Sequence, residues 1–185
     1  MTAELDEPAG PRRRIFFALW PDAPTAAGIV RATKRAVRQC GGRPMAKDRL
    51  HVTLAFLGAL DAAALERARS AAPIATGAFD VLLDRIGYFE ESRVLWFAPR
   101  VVPRELLALE HELWAALEER GFAREPRIYR PHVTLARRAR AVAEEPVDPV
   151  PWHAADLALV ESLPAGKNVH YEILERWPLA PGAAR

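Results

Sequence analysis

Apolar residues fall along this chain in short dense runs and, between them, at helical spacing, with proline, glycine or a capping aspartate at most junctions. "RIFFALWP" (14–21) reads as an aromatic-rich strand that Pro21 stops. Asp22 then caps a segment in which Ile29, Val30, Ala36 and Val37 recur at helical spacing until Gly41 and Gly42 close it. "LHVTLAFLG" (50–58) is a second strand, ended by Gly58, and "DAAALERARSAAP" (61–73) a helix capped by Asp61 and closed before Pro73. Runs at 79–89 and 93–99 predict strands paired across the polar "EES". The clearest helix spans 103–121, where Leu106, Leu109, Leu113, Ala116 and Leu117 form one apolar stripe. Further strands are predicted at 130–138, 152–162 and 170–179, for about seven strands and three helices. Residues 1–13 and 180–185, rich in Pro, Gly and charge, read as tails around one domain at 14–179.

No linker divides that domain, and the order of strand, helix, strand, helix in its first half is loosely echoed in its second. The pattern predicts an α+β fold made of a duplicated unit with largely antiparallel sheets. No Gly-rich phosphate loop is present, which disfavours dinucleotide binding of the usual kinds.

Composition changes the picture only a little. At 185 residues and 50% apolar the chain can bury a real core. The net charge is +2, with arginine supplying most of the 26 basic residues, so an anionic partner is permitted but not demanded. A single cysteine, Cys40, cannot form an internal disulfide, and a cytoplasmic protein is the expectation. The sequence shows no signal-peptide core and no apolar run of membrane-span length, so no membrane partner is expected. The chain is expected to act as a monomer.

Residues 51–54 read "HVTL", and so do residues 132–135, in a chain with five histidines. Strand alternation puts His51, Thr53 and Ala55 on one face with Val52, Leu54 and Phe56 on the other; it does the same for His132, Thr134 and Ala136 against Val133 and Leu135. A single strand histidine is more often a satisfied core or edge residue than a catalyst, and threonine favours strands for its β-branch. The duplication reverses that reading. If a local twofold brings the faces together, the cleft holds two imidazoles and two hydroxyls, one ring able to serve as base and the other as acid for displacement at phosphorus. The hydroxyls can donate to the non-bridging oxygens. Neither motif has a second histidine at metal-ligand spacing or an acidic cluster, so no metal or cofactor is expected. His111 lies between Glu110 and Glu112 on the long helix and reads as a surface residue; His153 and His170 have no evident partner.

The paired motifs, the opening "RIFFALWP", the segments "LHVTLAFLG" and "YRPHVTLAR", and the closing "LVES" and "YEILERWPL" resemble, in order, the two-histidine phosphoesterase superfamily and its bacterial RNA 2′,3′-cyclic phosphodiesterase branch, also called the 2′-5′ RNA ligase family. The resemblance covers about residues 14–179. It implies a bilobal α+β fold, two mostly antiparallel sheets flanked by helices around a central cleft with one motif from each lobe. It also implies metal-free hydrolysis of 2′,3′-cyclic phosphate ends, on RNA or small nucleotides, to 2′-phosphomonoesters, with reverse 2′-5′ joining as a minor direction. By position it makes His51 the proton donor to the departing 3′ oxygen and His132 the acceptor that activates water, with Thr53, Thr134 and Arg137 on the phosphate. Strict alternation conflicts with the last of these: it puts Arg130 and Arg138 on the face of His132 and turns Arg137 away, so the strand has to bend before Arg137. Arg130 stays a further phosphate-binding candidate. Lys167 and Tyr171 are left unassigned, and Phe16 and Trp20 suit either core packing or base stacking. The alternatives are a relative acting on another phosphodiester, such as a 2′-5′ linkage or a cyclic ADP-ribose phosphate, and a module that binds RNA ends without turnover.

Overall fold

A computed structural model describes residues 11–72, 74–143, 145–165 and 168–179. The expected tails at 1–13 and 180–185 therefore lie largely outside the described residues, as does Lys167. Asp22 caps helix α1 (Ala23–Gln39) by accepting from the Thr25 N–H at 2.8 Å, and Asp61 caps α2 (Ala62–Arg69) by accepting from the Ala64 N–H at 2.7 Å. Helix α3 (Arg104–Glu118) buries Leu106, Leu109, Leu113 and Leu117, each at most 1% exposed, against the sheet.

Among the described residues ten strands are observed: β1 (Arg13–Leu19), β2 (Arg43–Pro44), β3 (Val52–Leu60), β4 (Phe79–Leu83), β5 (Arg85–Phe89), β6 (Val94–Ala98), β7 (Val133–Arg137), β8 (Val150–Ala154), β9 (Asp156–Ala165) and β10 (Asn168–Pro178). All their pairings are antiparallel. The large sheet runs β10-β9-β1-β3-β7-β6-β5, with β2 added beside β7. Its two halves meet through one residue pair, Val52 with Val133, so the expected lobes share a seam one pair wide.

Two expected strands are each split in two, and for a shared reason. The run 79–89 breaks at Asp84 into β4 and β5, and the run 152–162 breaks at Ala155 into β8 and β9. β4 and β8 leave the large sheet together as a two-stranded one, with identical buried–exposed alternation. The kink at Asp84 is held by its carboxylate, which accepts from the Arg100 N–H at 2.6 Å. Gly58 does not end β3; the strand passes it with a bulge, the glycine taking a φ of 75° that suits it better than any residue with a Cβ.

Strand β1 is buried on both faces. Ile15, Phe17 and Leu19 enter the main core under the helices, while Phe16 and Ala18 join Ala158 and Val160 in a small cluster on the opposite, cleft-facing side. In the other half, Gly87 lies beneath the Trp96 indole, and a Cβ built there would stand 2.1 Å from the ring. Gly87→Ala should therefore push Trp96 off its seat and cost roughly 1–3 kcal/mol in a denaturant melt. Unchanged stability would mean that the indole is free to move.

Candidate active site

Each catalytic candidate sits one residue before a strand. His51 precedes β3 and His132 precedes β7, and the Val52–Val133 pair brings the motifs side by side with opposed chain directions, a local twofold. Both rings are held alike: Nδ1 of His51 lies 2.8 Å from the Arg49 carbonyl, and Nδ1 of His132 lies 2.8 Å from the Arg130 carbonyl. A carbonyl can only accept, so each Nδ1 carries the proton and each Nε2 keeps a free lone pair in the neutral ring. Thr53 and Thr134 are half-buried beside them. The Tyr129 hydroxyl donates to the Thr53 carbonyl at 3.3 Å, tying the approach to the second motif onto the first.

The bend that Arg137 required is present, and it is present twice. The β1–β3 register slips at Leu54, and the β6–β7 register slips at Leu135, the same position of each motif. An extra residue reverses the alternation beyond it. Val52 to Phe56 and Val133 to Arg137 accordingly share one pattern: buried, half-buried, buried, buried, exposed. Ala55 and Ala136, expected beside the His–Thr pairs, go into the core instead, at 1% and 0% exposure. Phe56 and Arg137 take the outward face in their place. Phe56 carries the Arg14 guanidinium 5.3 Å above its ring.

The two rings have unequal walls. His51 is stacked on Trp20 (centroids 5.0 Å apart, planes 7° apart) and touches Phe16 at 5.1 Å and Tyr171 at 5.2 Å. The aromatics that the sequence left between core and base stacking thus enclose this ring. Its pKa is pushed down from 6.5 to about 4, chiefly by burial, with the charges at His132 and Arg137 adding to the effect. His132 meets one aromatic edge, Phe89 at 5.0 Å, and its pKa is lowered as well, again chiefly by burial and then by Arg137 and Arg127. The charge of Arg137 thus lowers both values.

Other candidates fall elsewhere. The Arg130 side chain is exposed, and its contact with the site is through its carbonyl. His111 is exposed on α3. His153 does have a partner, Asp80, at 2.8 Å across the small sheet. His170 is exposed on β10. Among the described residues no three His, Cys, Asp or Glu side chains gather into a metal-binding group. An open cavity of about 330 Å³ between α1, β5 and the 142–148 segment has no motif residue in its lining.

A sequence profile described as the 2'-5' RNA ligase superfamily matches residues 20–162. The chain belongs to that superfamily. It is 34% identical over 171 residues to the RNA 2',3'-cyclic phosphodiesterase of Escherichia coli, covering 90% of this chain and 97% of the relative. It is 31% identical to the Thermus thermophilus protein of the same name, over 90% of each chain. Among solved members of the superfamily, E. coli LigT complexed with 3'-AMP superposes with a TM-score of 0.84 at 32% identity, over 91% of this chain and 98% of that one.

Proposed function

We propose that this protein is an RNA 2′,3′-cyclic phosphodiesterase that opens cyclic phosphate ends of RNA or small nucleotides to 2′-phosphomonoesters. The observation that carries the reading is the paired imidazoles: each is pinned through Nδ1 to a carbonyl two residues earlier, and both feel the charge of Arg137. In this reading His132 takes a proton from the attacking water as the new P–O bond forms. The bond from phosphorus to the 3′ oxygen breaks, and His51, protonated at Nε2, gives that oxygen its proton. Thr53, Thr134 and Arg137 hold the non-bridging oxygens, where the charge sits. Arg130 contributes through the carbonyl that orients His132. Every group comes from a single chain, which suits a monomer, and the buried free thiol of Cys40 suits a cytoplasmic setting.

Product analysis on a cyclic mononucleotide tests the reading. The expected product is the 2′-phosphate, with activity retained in excess EDTA, because the proposed acid, base and anion-holding groups are all side chains. A 3′-phosphate product would reverse the assignment of the departing oxygen. Loss of activity on chelation, rescued by a divalent ion, would overturn the two-imidazole mechanism.

A further inference from the structure

Among the described residues the two-residue strand β2 pairs with β7 alone, yet it is held there firmly. Gly41, with φ 60°, turns the chain out of α1, and Gly42 presses so close that a Cβ would lie 2.8 Å from both the Arg137 carbonyl oxygen and the Ala139 Cα. The Met45 N–H donates to the Leu135 carbonyl at 2.8 Å, and the Arg140 N–H to the Cys40 carbonyl at 2.9 Å. Between these clamps, Arg43 stands directly opposite Arg137.

Directly opposed residues of an antiparallel pair project from the same face, their Cβ atoms roughly 4.5–5.5 Å apart, and like charges there repel. Arg13, Arg69, Arg124 and Arg176 each have a carboxylate partner. Among the described residues neither Arg43 nor Arg137 has an ion pair or a side-chain hydrogen bond. The fold therefore holds two guanidinium groups beside each other, exposed and uncompensated, at the edge of the cleft. An anion relieves that repulsion, and the guanidinium fork matches phosphate oxygens.

We propose that Arg43 binds the phosphodiester next to the cyclic phosphate, so that the cleft grips an RNA strand by two successive phosphates. This rests on the phosphodiesterase reading above. Arg137 serves the scissile phosphate together with Thr53 and Thr134. Arg43 lies on the same edge of β7 as the seam, farther along the strand because β6 fills the opposite edge, and reaches the next phosphate along. The favoured substrate is then an oligonucleotide end, with a cyclic mononucleotide engaging only the inner half of the site.

Binding tests this without turnover. Calorimetry compares adenosine 2′-monophosphate with an adenylyl-adenosine dinucleotide carrying a terminal 2′-phosphate, on the wild type, Arg43→Gln and Arg43→Lys. The wild type should bind the dinucleotide roughly tenfold more tightly. Arg43→Gln should abolish that advantage and change mononucleotide affinity less than about twofold, with Arg43→Lys in between. The slope of log affinity against log salt for the dinucleotide should become shallower by about 0.7 in Arg43→Gln, one single-strand phosphate contact. Equal weakening of both ligands would put Arg43 on the terminal phosphate, and a wild type that does not prefer the dinucleotide would make it a surface residue; either overturns the proposal. A wild type that binds as expected but cleaves neither cyclic mononucleotide nor cyclic dinucleotide leaves Arg43 in place and overturns the phosphodiesterase reading instead.

Discussion

Alanine at His51 or at His132 should each lower kcat/KM for a cyclic phosphate substrate by on the order of 10²–10⁴-fold, while alanine at His111 leaves it within about twofold. The first two rings are the candidate acid and base. His111 differs from them in being exposed on α3 and outside both motifs in sequence. The double variant should be little worse than the poorer single one, because an acid without its base supplies little of the concerted transfer. Single-turnover rates with substrate in excess of KM separate chemistry from binding. A loss at His111 as large as at the other two would relocate the site, and fully additive losses in the double variant would mean that the rings do not act as a unit.

The pH profile of kcat/KM should be bell-shaped with its alkaline limb below 6.5, the ordinary imidazole value. That profile reports the free enzyme, in which one ring must be protonated and the other neutral. Both values are displaced downward, His51 to about 4, so rising pH depletes the singly protonated state early. Bound phosphate adds negative charge beside the rings and favours the imidazolium, so the alkaline limb of kcat should lie higher than that of kcat/KM. Trp20→Ala removes the stacked indole, admits water to His51 and should move the acid limb of kcat/KM, which follows the lower of the two values, upward by on the order of one pH unit. The same depression governs stability. A histidine whose folded value is below its unfolded value stabilises the fold above pH 6.5, and that contribution is lost as pH falls through about 4. The fold should therefore lose on the order of 3 kcal/mol of stability from His51 as pH falls from 6.5 to about 4. An alkaline limb of kcat/KM at or above about pH 7 would show that neither ring sets it, and an acid limb unmoved by the Trp20 change would show that His51 does not set that one.

Much of this protein was legible from local pattern. Asp22 and Asp61 announce their helices because a carboxylate before an apolar-periodic run satisfies free N–H groups whatever lies beyond. The α3 stripe needs only the 3.6-residue period. The two HVTL motifs identify the histidines and threonines because a repeated tetrapeptide is visible without any partner in space. What alternation could not supply was the face of Arg137. Period two holds only while a strand keeps register with its neighbour, and the slips at Leu54 and Leu135 arise from pairing with β1 and β6, each distant in sequence. The same limit hid the breaks at Asp84 and Ala155: a run of alternating residues does not say that its two ends pair in different sheets. The aromatic box around His51 takes Phe16 and Trp20 from the first strand region and Tyr171 from the last, and the opposition of Arg43 to Arg137 joins the end of α1 to β7. The sequence alone determined which residues could do chemistry, because that depends on side-chain type and short spacing. Tertiary structure decided which way they point, how dry they are and which charges oppose each other, because those depend on strands that meet only when the chain has folded.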